Sequence, residues 1–350
     1  MKALRLYGPN DLRYEDIPIP EIKKGELLVK IHSCAICGSD LRNIKAGGSS
    51  HGMTLPRVLG HEAAGEIVEI GQGVHGFKIG DRVLLSVTIP CGKCDYCLKG
   101  ITNLCDNKKA LSYEYDGCFA EYIAVPSQLV KTGGVIPIPD NVNYDAAAIV
   151  EPISCVLNGQ ELSQVGLNDT VVIIGAGPVG VFHAIIARIL GAAEVIISEI
   201  LEDRIEIVKK LNIADRVINP QKEDFISNVL KVTKGQGADV VIVAAPSREA
   251  QEQALLVAKK RGRINFFGGL SKGNSYISID SNLIHYKELF VHGTSDSTVI
   301  HMKKVLKLIE DGRINTSKLI TTTFNISEYK EAFEFASSGK ALKVIIKPVN

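Results

Sequence analysis

Val171-Val172-Ile173-Ile174-Gly175-Ala176-Gly177-Pro178-Val179-Gly180 is the stretch on which the fold turns. Four branched apolar residues in a row read as a strand buried on both faces. The G-x-G-x-x-G that follows, just ahead of a helical pattern, has the spacing of a phosphate-holding turn. Gly175 permits the tight turn, Gly177 lets the backbone approach a pyrophosphate, and Gly180 lets helix and strand pack closely. Pro178 and Val179 open a helix whose free N–H groups and dipole favour an anion. A carboxylate, Glu199, ends the next strand 19 residues after Gly180. There it can accept hydrogen bonds from both ribose hydroxyls of NAD, whereas a 2′-phosphate meets a like charge. A glycine turn without a ligand and a solvated acid are the plainer readings. Strand, turn, helix and acid in this order favour a site for NAD.

The pattern continues downstream. Apolar runs at 171–174, 195–198, 217–219, 240–245, 263–268 and 289–293 alternate with amphipathic stretches at 203–211, 223–234 and 249–260. Six buried strands with helical crossovers predict a parallel, doubly wound sheet. Arg204, Gly268, Gly269 and Thr294 are further candidate cofactor contacts. Upstream, roughly 26–130, short alternating strands such as 27–31, 65–70 and 81–85 are broken by Gly and Pro, which predicts a β-rich, barrel-type fold. After Gly293 come two helical patterns, 298–311 and 327–337, and a last strand, 341–347. That tail is expected to rejoin the first domain, because a six-stranded sheet is already complete. The α/β chain therefore divides as 1–153, 154–294 and 295–350.

Composition narrows the function classes. At 350 residues the chain can bury two cores, and 45% apolar with 23% charged residues is ordinary for a globular protein. A formal net charge of +1, with no Trp, speaks against a nucleic-acid partner. The start, Met1-Lys2-Ala3-Leu4-Arg5-Leu6, carries no secretory signal. The apolar stretch 171–198 has the length of a membrane helix but is interrupted by Gly175, Gly177, Pro178, Gly180, Arg188 and Glu194. A soluble, cytoplasmic protein with no membrane partner is expected.

Four of the eight cysteines crowd into Cys91-x2-Cys94-x2-Cys97-x7-Cys105. Thiolates so spaced can close a tetrahedral zinc site, with Lys93, Lys99, Lys108 and Lys109 near enough to offset the charge. An iron–sulfur cluster is the rival, since C-x2-C-x2-C opens the bacterial ferredoxin run. That run continues x3-C-P, whereas here Cys105 precedes Asp106. A nucleic-acid-binding zinc module would need a denser basic face. Structural zinc is the preferred reading.

A second donor set is dispersed. Cys37-Gly38-Ser39-Asp40, Gly60-His61-Glu62 and Glu151 in Ile149-Val150-Glu151-Pro152 supply a thiolate, an imidazole and a carboxylate. Three such ligands leave zinc a position for water or substrate. Singly, each has a duller explanation as a buried thiol, a core imidazole or an exposed acid. Together they suggest a catalytic zinc.

With these pieces assembled, the sequence resembles the zinc-dependent medium-chain dehydrogenases along essentially its whole length. The resemblance rests on Cys37-Gly38-Ser39-Asp40, Gly60-His61-Glu62-Ala63-Ala64-Gly65, Gly80-Asp81-Arg82-Val83, the four-cysteine loop, Phe119-Ala120-Glu121-Tyr122, Glu151-Pro152 and the glycine loop. Glu151-Pro152 is similar to the polyol branch, which holds the sorbitol and xylitol dehydrogenases, and to threonine 3-dehydrogenases. The resemblance implies a GroES-like catalytic domain, a Rossmann domain, two zinc ions per chain, NAD and a homotetramer. It implies that Cys37, His61 and Glu151 hold catalytic zinc, Glu151 directly or through water, with Glu62 an adjacent or exchanging ligand. Asp40 then orients His61, and Ser39 passes the alcohol proton onward. The implied activity is hydride transfer between a secondary alcohol (polyol, inositol or amino-polyol) and NAD. Threonine oxidation and oxidation of a sugar-alcohol phosphate met by Arg42 or Arg57 are the alternatives, and a non-catalytic dinucleotide-binding protein is a third.

The chain also departs from that pattern. Arg42 stands where a relay histidine is common, Asn43 where sorbitol dehydrogenases carry an aromatic, and 293–297 lacks their arginine. Cys34, Cys118 and Cys155 read as small buried thiols. His32, His51, His75, His183, His285 and His301 read as surface or satisfied positions, and His292 as a neighbour of the nicotinamide.

Overall fold

A computed structural model describes residues 1–48, 53–271 and 273–348. His51 lies outside the described residues. The chain divides into two compact units, Met1–Ser154 with Asp296–Asn350, and Cys155–Ser295.

In the second unit six parallel strands lie in the order Arg216–Ile218, Glu194–Ser198, Thr170–Ile174, Ala238–Val243, Ala258–Phe266, Phe290–Gly293. In chain order this is the doubly wound arrangement, which reverses beside the first strand. Val171 faces Val195 on one side and Val240 on the other, and Val171, Val172 and Ile173 are fully buried. Burial on both faces explains a run without alternation. The glycine loop ends this central strand, ahead of the helix Pro178–Leu190. A Cβ on Gly180 would stand 1.9 Å from the Gly175 carbonyl oxygen, so any side chain there pushes the helix off its strand. One helix is shorter than its pattern predicts: Arg248–Val257 stops where Ala258 pairs with Ala238. Sheet pairing overrides the helical preference of Lys259 and Lys260.

In the first unit the strand Leu27–Ala35 is the hub. It pairs antiparallel with Glu62–Ile70, Tyr122–Val125 and Lys343–Lys347. Bulges after Leu28 and Ile31 bend it, so that one strand serves three partners. Arg82–Leu85 and Val135–Pro137 extend the sheet on one side and Ile320–Asn325 on the other. The hairpin Lys2–Gly8 with Asp11–Asp16 lays Leu4 and Leu6 into this core beside Phe119, whose ring meets Phe333 edge-on at 5.5 Å. Gly60, at φ +89°, turns the chain from Leu59 into His61. A Cβ there would stand 2.8 Å from the Phe119 ring. Among the described residues, no helix is long and apolar enough to cross a membrane.

Candidate active site

The strand Leu27–Ala35 delivers Cys37 to the N-cap of the helix Gly38–Ala46. The Cys37 N–H donates to Asp40 Oδ2 at 2.9 Å, closing a capping box that fixes both residues. Asp40 is fully buried, and its Oδ1 lies 3.5 Å from His61 Nδ1, longer than a formed hydrogen bond. On the opposite side of the ring, Ser39 Oγ lies 3.5 Å from Nε2. The ligand atoms of Cys37, His61 and Glu62 all lie within 4.8 Å of one another. Burial alone would lower the His61 pKa, but Asp40 and Cys37 raise it well above the usual range. The pocket therefore demands positive charge at the imidazole, and a divalent cation on Nε2 answers the same demand. Asp40 is placed to orient the ring through Nδ1, as partners of metal-bound histidines do. A zinc ion fits this donor set.

Lys343, on the last strand, is 3% exposed and lies 2.5 Å from Glu62 Oε2. The approach lacks hydrogen-bond alignment, and neither Glu62 oxygen has a hydrogen-bond partner. Lys343 Nζ instead donates to the Ile36 carbonyl at 2.7 Å. Burial works against its charge, and Glu62 and Cys37 more than compensate, so its pKa is raised. Sequence reading missed this lysine, although a lone cation inside the apolar run 341–346 calls for a buried partner. Lys343→Met leaves Glu62 buried and unpaired, a change of roughly 3–5 kcal/mol. We expect the unfolding midpoint to fall by roughly 10 °C; an unchanged midpoint would show that another group neutralises Glu62.

Glu151 sits in the first turn of the helix Val150–Leu162, 7% exposed, with its carbonyl accepting from Ser154 Oγ at 2.6 Å. It is not in the group of three within 4.8 Å, where Glu62 provides the carboxylate.

The four-cysteine loop is tight. Sγ–Sγ distances are 4.0 Å for Cys91–Cys97, 3.5 Å for Cys94–Cys97 and 3.8 Å for Cys94–Cys105. A tetrahedron with Zn–S bonds of ~2.3 Å has edges of ~3.8 Å, and disulfides need ~2.05 Å. A cluster of several iron atoms would hold the sulfurs further apart, so the loop fits one ion. Backbone N–H groups point at the sulfurs, those of Lys93 and Cys94 drawing the Cys91 pKa down to about 6. Charge compensation from Lys108 and Lys109 goes elsewhere: Lys108 engages the Asn103 carbonyl and Asp296, and Lys109 lies over Tyr115. Because only thiolates hold the metal, protons compete with it as pH falls. Chelator-accessible zinc should rise as the pH is lowered and not as it is raised. Cys94→Ser should lower the unfolding midpoint by roughly 5–10 °C, the scale of losing about 3 kcal/mol. No change in melting would deny this loop a structural role.

In the second unit Glu199 is 4% exposed and accepts three backbone N–H bonds. Ala176 donates at 2.7 Å, Ile200 at 2.7 Å and Leu201 at 2.9 Å. Arg204 Nη1 lies 3.6 Å from Glu199 Oε2, and the guanidinium flanks Gly177, 3.7 Å from where a Cβ would be. Two carboxylate oxygens offer about four lone pairs, so roughly one remains for a ribose hydroxyl. Pro178 is the first residue of its helix, with Val179 next. Gly268 packs against Ala245, its carbonyl accepting from Gln251, while Gly269 has open space around it. Thr294 Oγ1 is held by fully buried Asn265 at 2.9 Å.

Other singled-out residues have ordinary surroundings. Arg57 pairs with Asp116 at 3.1 Å. Arg42 folds back toward Gly38. Cys34 and Cys118 are fully buried, but Cys155 is only half-buried, so it is not the buried thiol expected. His183 is held by Gln160, and burial lowers its pKa to about 3. His32 stacks on Tyr144, His285 meets Tyr286 edge-on, and His301 caps its helix. His292 Nε2 lies 3.3 Å from Ser163 Oγ. Tyr113, which sequence reading also missed, lies beside the donor group, its ring centroid 6.3 Å from that of His61.

Comparison with known proteins gives this geometry its relatives. Residues 23–140 match the family model of the alcohol dehydrogenase GroES-like domain, and residues 178–311 that of zinc-binding dehydrogenases. The L-threonine 3-dehydrogenase of Pyrococcus furiosus is 35% identical, with 94% of this chain and 93% of that one aligned. The D-arabitol-phosphate dehydrogenase of Enterococcus avium is 32% identical over 97% and 95% of the two chains. The crystal structure of a zinc-binding dehydrogenase from Sinorhizobium meliloti bound to NADP superposes with a TM-score of 0.90, at 30% identity and 99% coverage of both. Matching motifs, fold and relatives agree, and this chain belongs to the family of zinc-binding alcohol dehydrogenases, NAD(P)-linked oxidoreductases with a GroES-like domain and a Rossmann domain.

Proposed function

We propose that this protein oxidises a secondary alcohol of polyol, inositol or amino-polyol type to the ketone, reversibly, with NAD as partner. The observation that carries the reading is the meeting of Cys37, His61 and Glu62, with Ser39 and Asp40 on either side of the imidazole. Cys37 and His61 would hold catalytic zinc, Glu151 would complete the set directly or through water, and Glu62 would be an exchanging ligand. When bound, zinc would supply Lewis acidity and NAD a hydride acceptor. Ser39 Oγ takes the proton of the substrate hydroxyl and hands it on, and Asp40 keeps the His61 ring in its tautomer. Glu199, Arg204 and the loop Gly175–Gly180 receive the adenosine half of the cofactor, with Gly268, Gly269 and Thr294 nearer its other end.

Oxidation of a phosphorylated sugar alcohol is the weaker alternative, because Arg57 is already paired with Asp116 and Arg42 alone is left for the anion. A non-catalytic role leaves the open donor group without a purpose. The deciding experiment is a screen of NAD reduction over polyols, inositols, sugar phosphates and threonine, run with metal analysis. Turnover of a polyol by protein holding two zinc ions is the expected result; turnover of none, with zinc present, removes the reading.

The protein works as a homotetramer in the cytoplasm. Among the described residues the edge strand Phe290–Gly293 pairs on one side only, and Phe290 is 55% exposed, which suits sheet-edge pairing between copies. Eight unbridged cysteines suit a reducing compartment. A monomer by light scattering at micromolar concentration removes the tetramer.

A further inference from the structure

Glu62 is a carboxylate within reach of two cations. It begins the strand Glu62–Ile70, opposite Ala35, and is fully buried, so water does not solvate its charge. Neither of its oxygens has a hydrogen-bond partner. A carboxylate buried without a counter-charge is costly, so a cation must sit beside it. The first candidate is Lys343, 2.5 Å from Oε2, and among the described residues no other cation pairs with Glu62. The second is the metal that Cys37 and His61 would hold, since the ligand atoms of all three residues lie within 4.8 Å of one another.

The two members of the ion pair are not held alike. Lys343 is fixed: its Nζ donates to the Ile36 carbonyl at 2.7 Å, and its backbone N–H to the Leu319 carbonyl at 3.1 Å. The next residue, Val344, accepts from the Ile36 N–H at 2.9 Å. Ile36 directly precedes Cys37, so the cation is tethered to the chain that carries a candidate ligand. The Glu62 side chain is held by charge alone and can turn without breaking a hydrogen bond. We propose that Lys343 is a positioning residue that withholds Glu62 from the metal, so that the site keeps an open position for the alcohol. This rests on the proposed catalytic-zinc site. Lysine and metal compete for one carboxylate, and by linkage whatever weakens the first contact strengthens the second. Removing the lysine charge therefore makes the site hold zinc more tightly and work less well, because its open position is filled from within. A merely structural lysine gives another sign, with looser metal and lower activity together. The melting loss expected of Lys343→Met is accordingly larger in metal-free protein than with zinc bound.

The test is Lys343→Gln, which removes the charge and keeps a donor for the Ile36 carbonyl. Zinc release from the open site into excess chelator, timed at one pH with the four-cysteine site as internal control, should slow by about 10-fold. The kcat/KM for the alcohol found in the screen should fall by about the same factor. Cobalt(II) loaded in place of zinc should show weaker visible bands, as an added ligand produces. Lys343→Arg, which keeps the charge, should release zinc at close to the wild-type rate. Adding Glu62→Gln to Lys343→Gln removes the carboxylate that tightens the site, and release should return to within about threefold of wild type. If Lys343→Gln folds only when zinc is supplied, while the double variant folds without it, the metal has taken the place of the lysine, as proposed. Zinc release as fast as wild type or faster, unchanged cobalt bands, or a single variant that fails to fold even with zinc overturns the inference. Wild type that carries zinc only in the four-cysteine loop overturns the underlying site instead.

Discussion

Cys37→Ser is expected to reduce alcohol oxidation by more than ~100-fold while NADH binding, followed by fluorescence, stays within about twofold. Losing an outer partner of a metal ligand typically removes ~10–100-fold, and Cys37 is placed as a direct ligand, so the effect should exceed that range. The thiolate is the soft, anionic member of the open group, and a serine hydroxyl at that position is neutral and poorly donating. The substitution also thins the negative charge around His61, where Cys37 and Asp40 together hold the imidazole pKa up. Demand for a cation falls accordingly. The damage should stay local, since the Cys37 backbone N–H still donates to Asp40 and a serine hydroxyl is itself a good N-cap acceptor for the Asp40 N–H. NADH binding serves as the control because Glu199 and the glycine loop lie in the other unit. Metal analysis should show loss of one zinc of two. Full activity, or an enzyme stripped by chelation that still turns over at its normal rate, would refute the proposed role of the open group.

How far the chain could be read without coordinates depended on the distance over which each feature is encoded. The glycine loop and the four cysteines are local: a few consecutive residues carry both the geometry and the chemistry. Their reading needed only a strand before one and tight spacing in the other. The open group is intermediate, with Cys37 and His61 recognisable by residue type, but nothing local in sequence tells Glu62 from Glu151 as the nearer carboxylate. Lys343 and Tyr113 were illegible for a simple reason. Lys343 reaches the Ile36 carbonyl across 307 positions, and only the pairing of the last strand with Leu27–Ala35 brings it there. Tyr113 follows Ser112, whose backbone is left-handed at φ +73°, a conformation that no residue preference announces for serine. The same limit explains the hairpin Lys2–Asp16, whose polar, half-exposed second strand offers little alternation to read. Lys259 and Lys260 misled in the opposite sense, because a good local helix pattern yielded to sheet pairing at Ala258.

Glu199→Ala should narrow the cofactor preference from both sides, and the size of the preference follows from the geometry. Wild type should favour NAD over NADP by at least ~100-fold in kcat/KM, equivalent to roughly 2.7 kcal/mol. A unit like charge at ~4 Å in an effective dielectric near 20 repels by roughly 4 kcal/mol, an upper figure. Arg204, 3.6 Å from the carboxylate, offsets part of it, which is why the lower value is the expectation. Family membership does not decide the matter, since the Sinorhizobium meliloti relative was crystallised with NADP. What decides it here is that the Glu199 charge is fixed in place: Ala176, Ile200 and Leu201 all donate to it, so it cannot swing away from a 2′-phosphate. Alanine removes the repulsion and leaves Arg204 free to meet the phosphate, so NADP should improve. It also orphans three N–H groups at the mouth of the cofactor loop, so NAD binding should weaken by about 10-fold through lost order as well as the lost ribose contact. Glu199→Gln separates the two effects, because it discharges the side chain while keeping an acceptor for part of that amide set. It should admit NADP nearly as well as alanine does and retain more of the NAD affinity. Wild-type protein that reduces NADP as readily as NAD would mean that the phosphate avoids Glu199 altogether, and the reading of this strand end would be wrong.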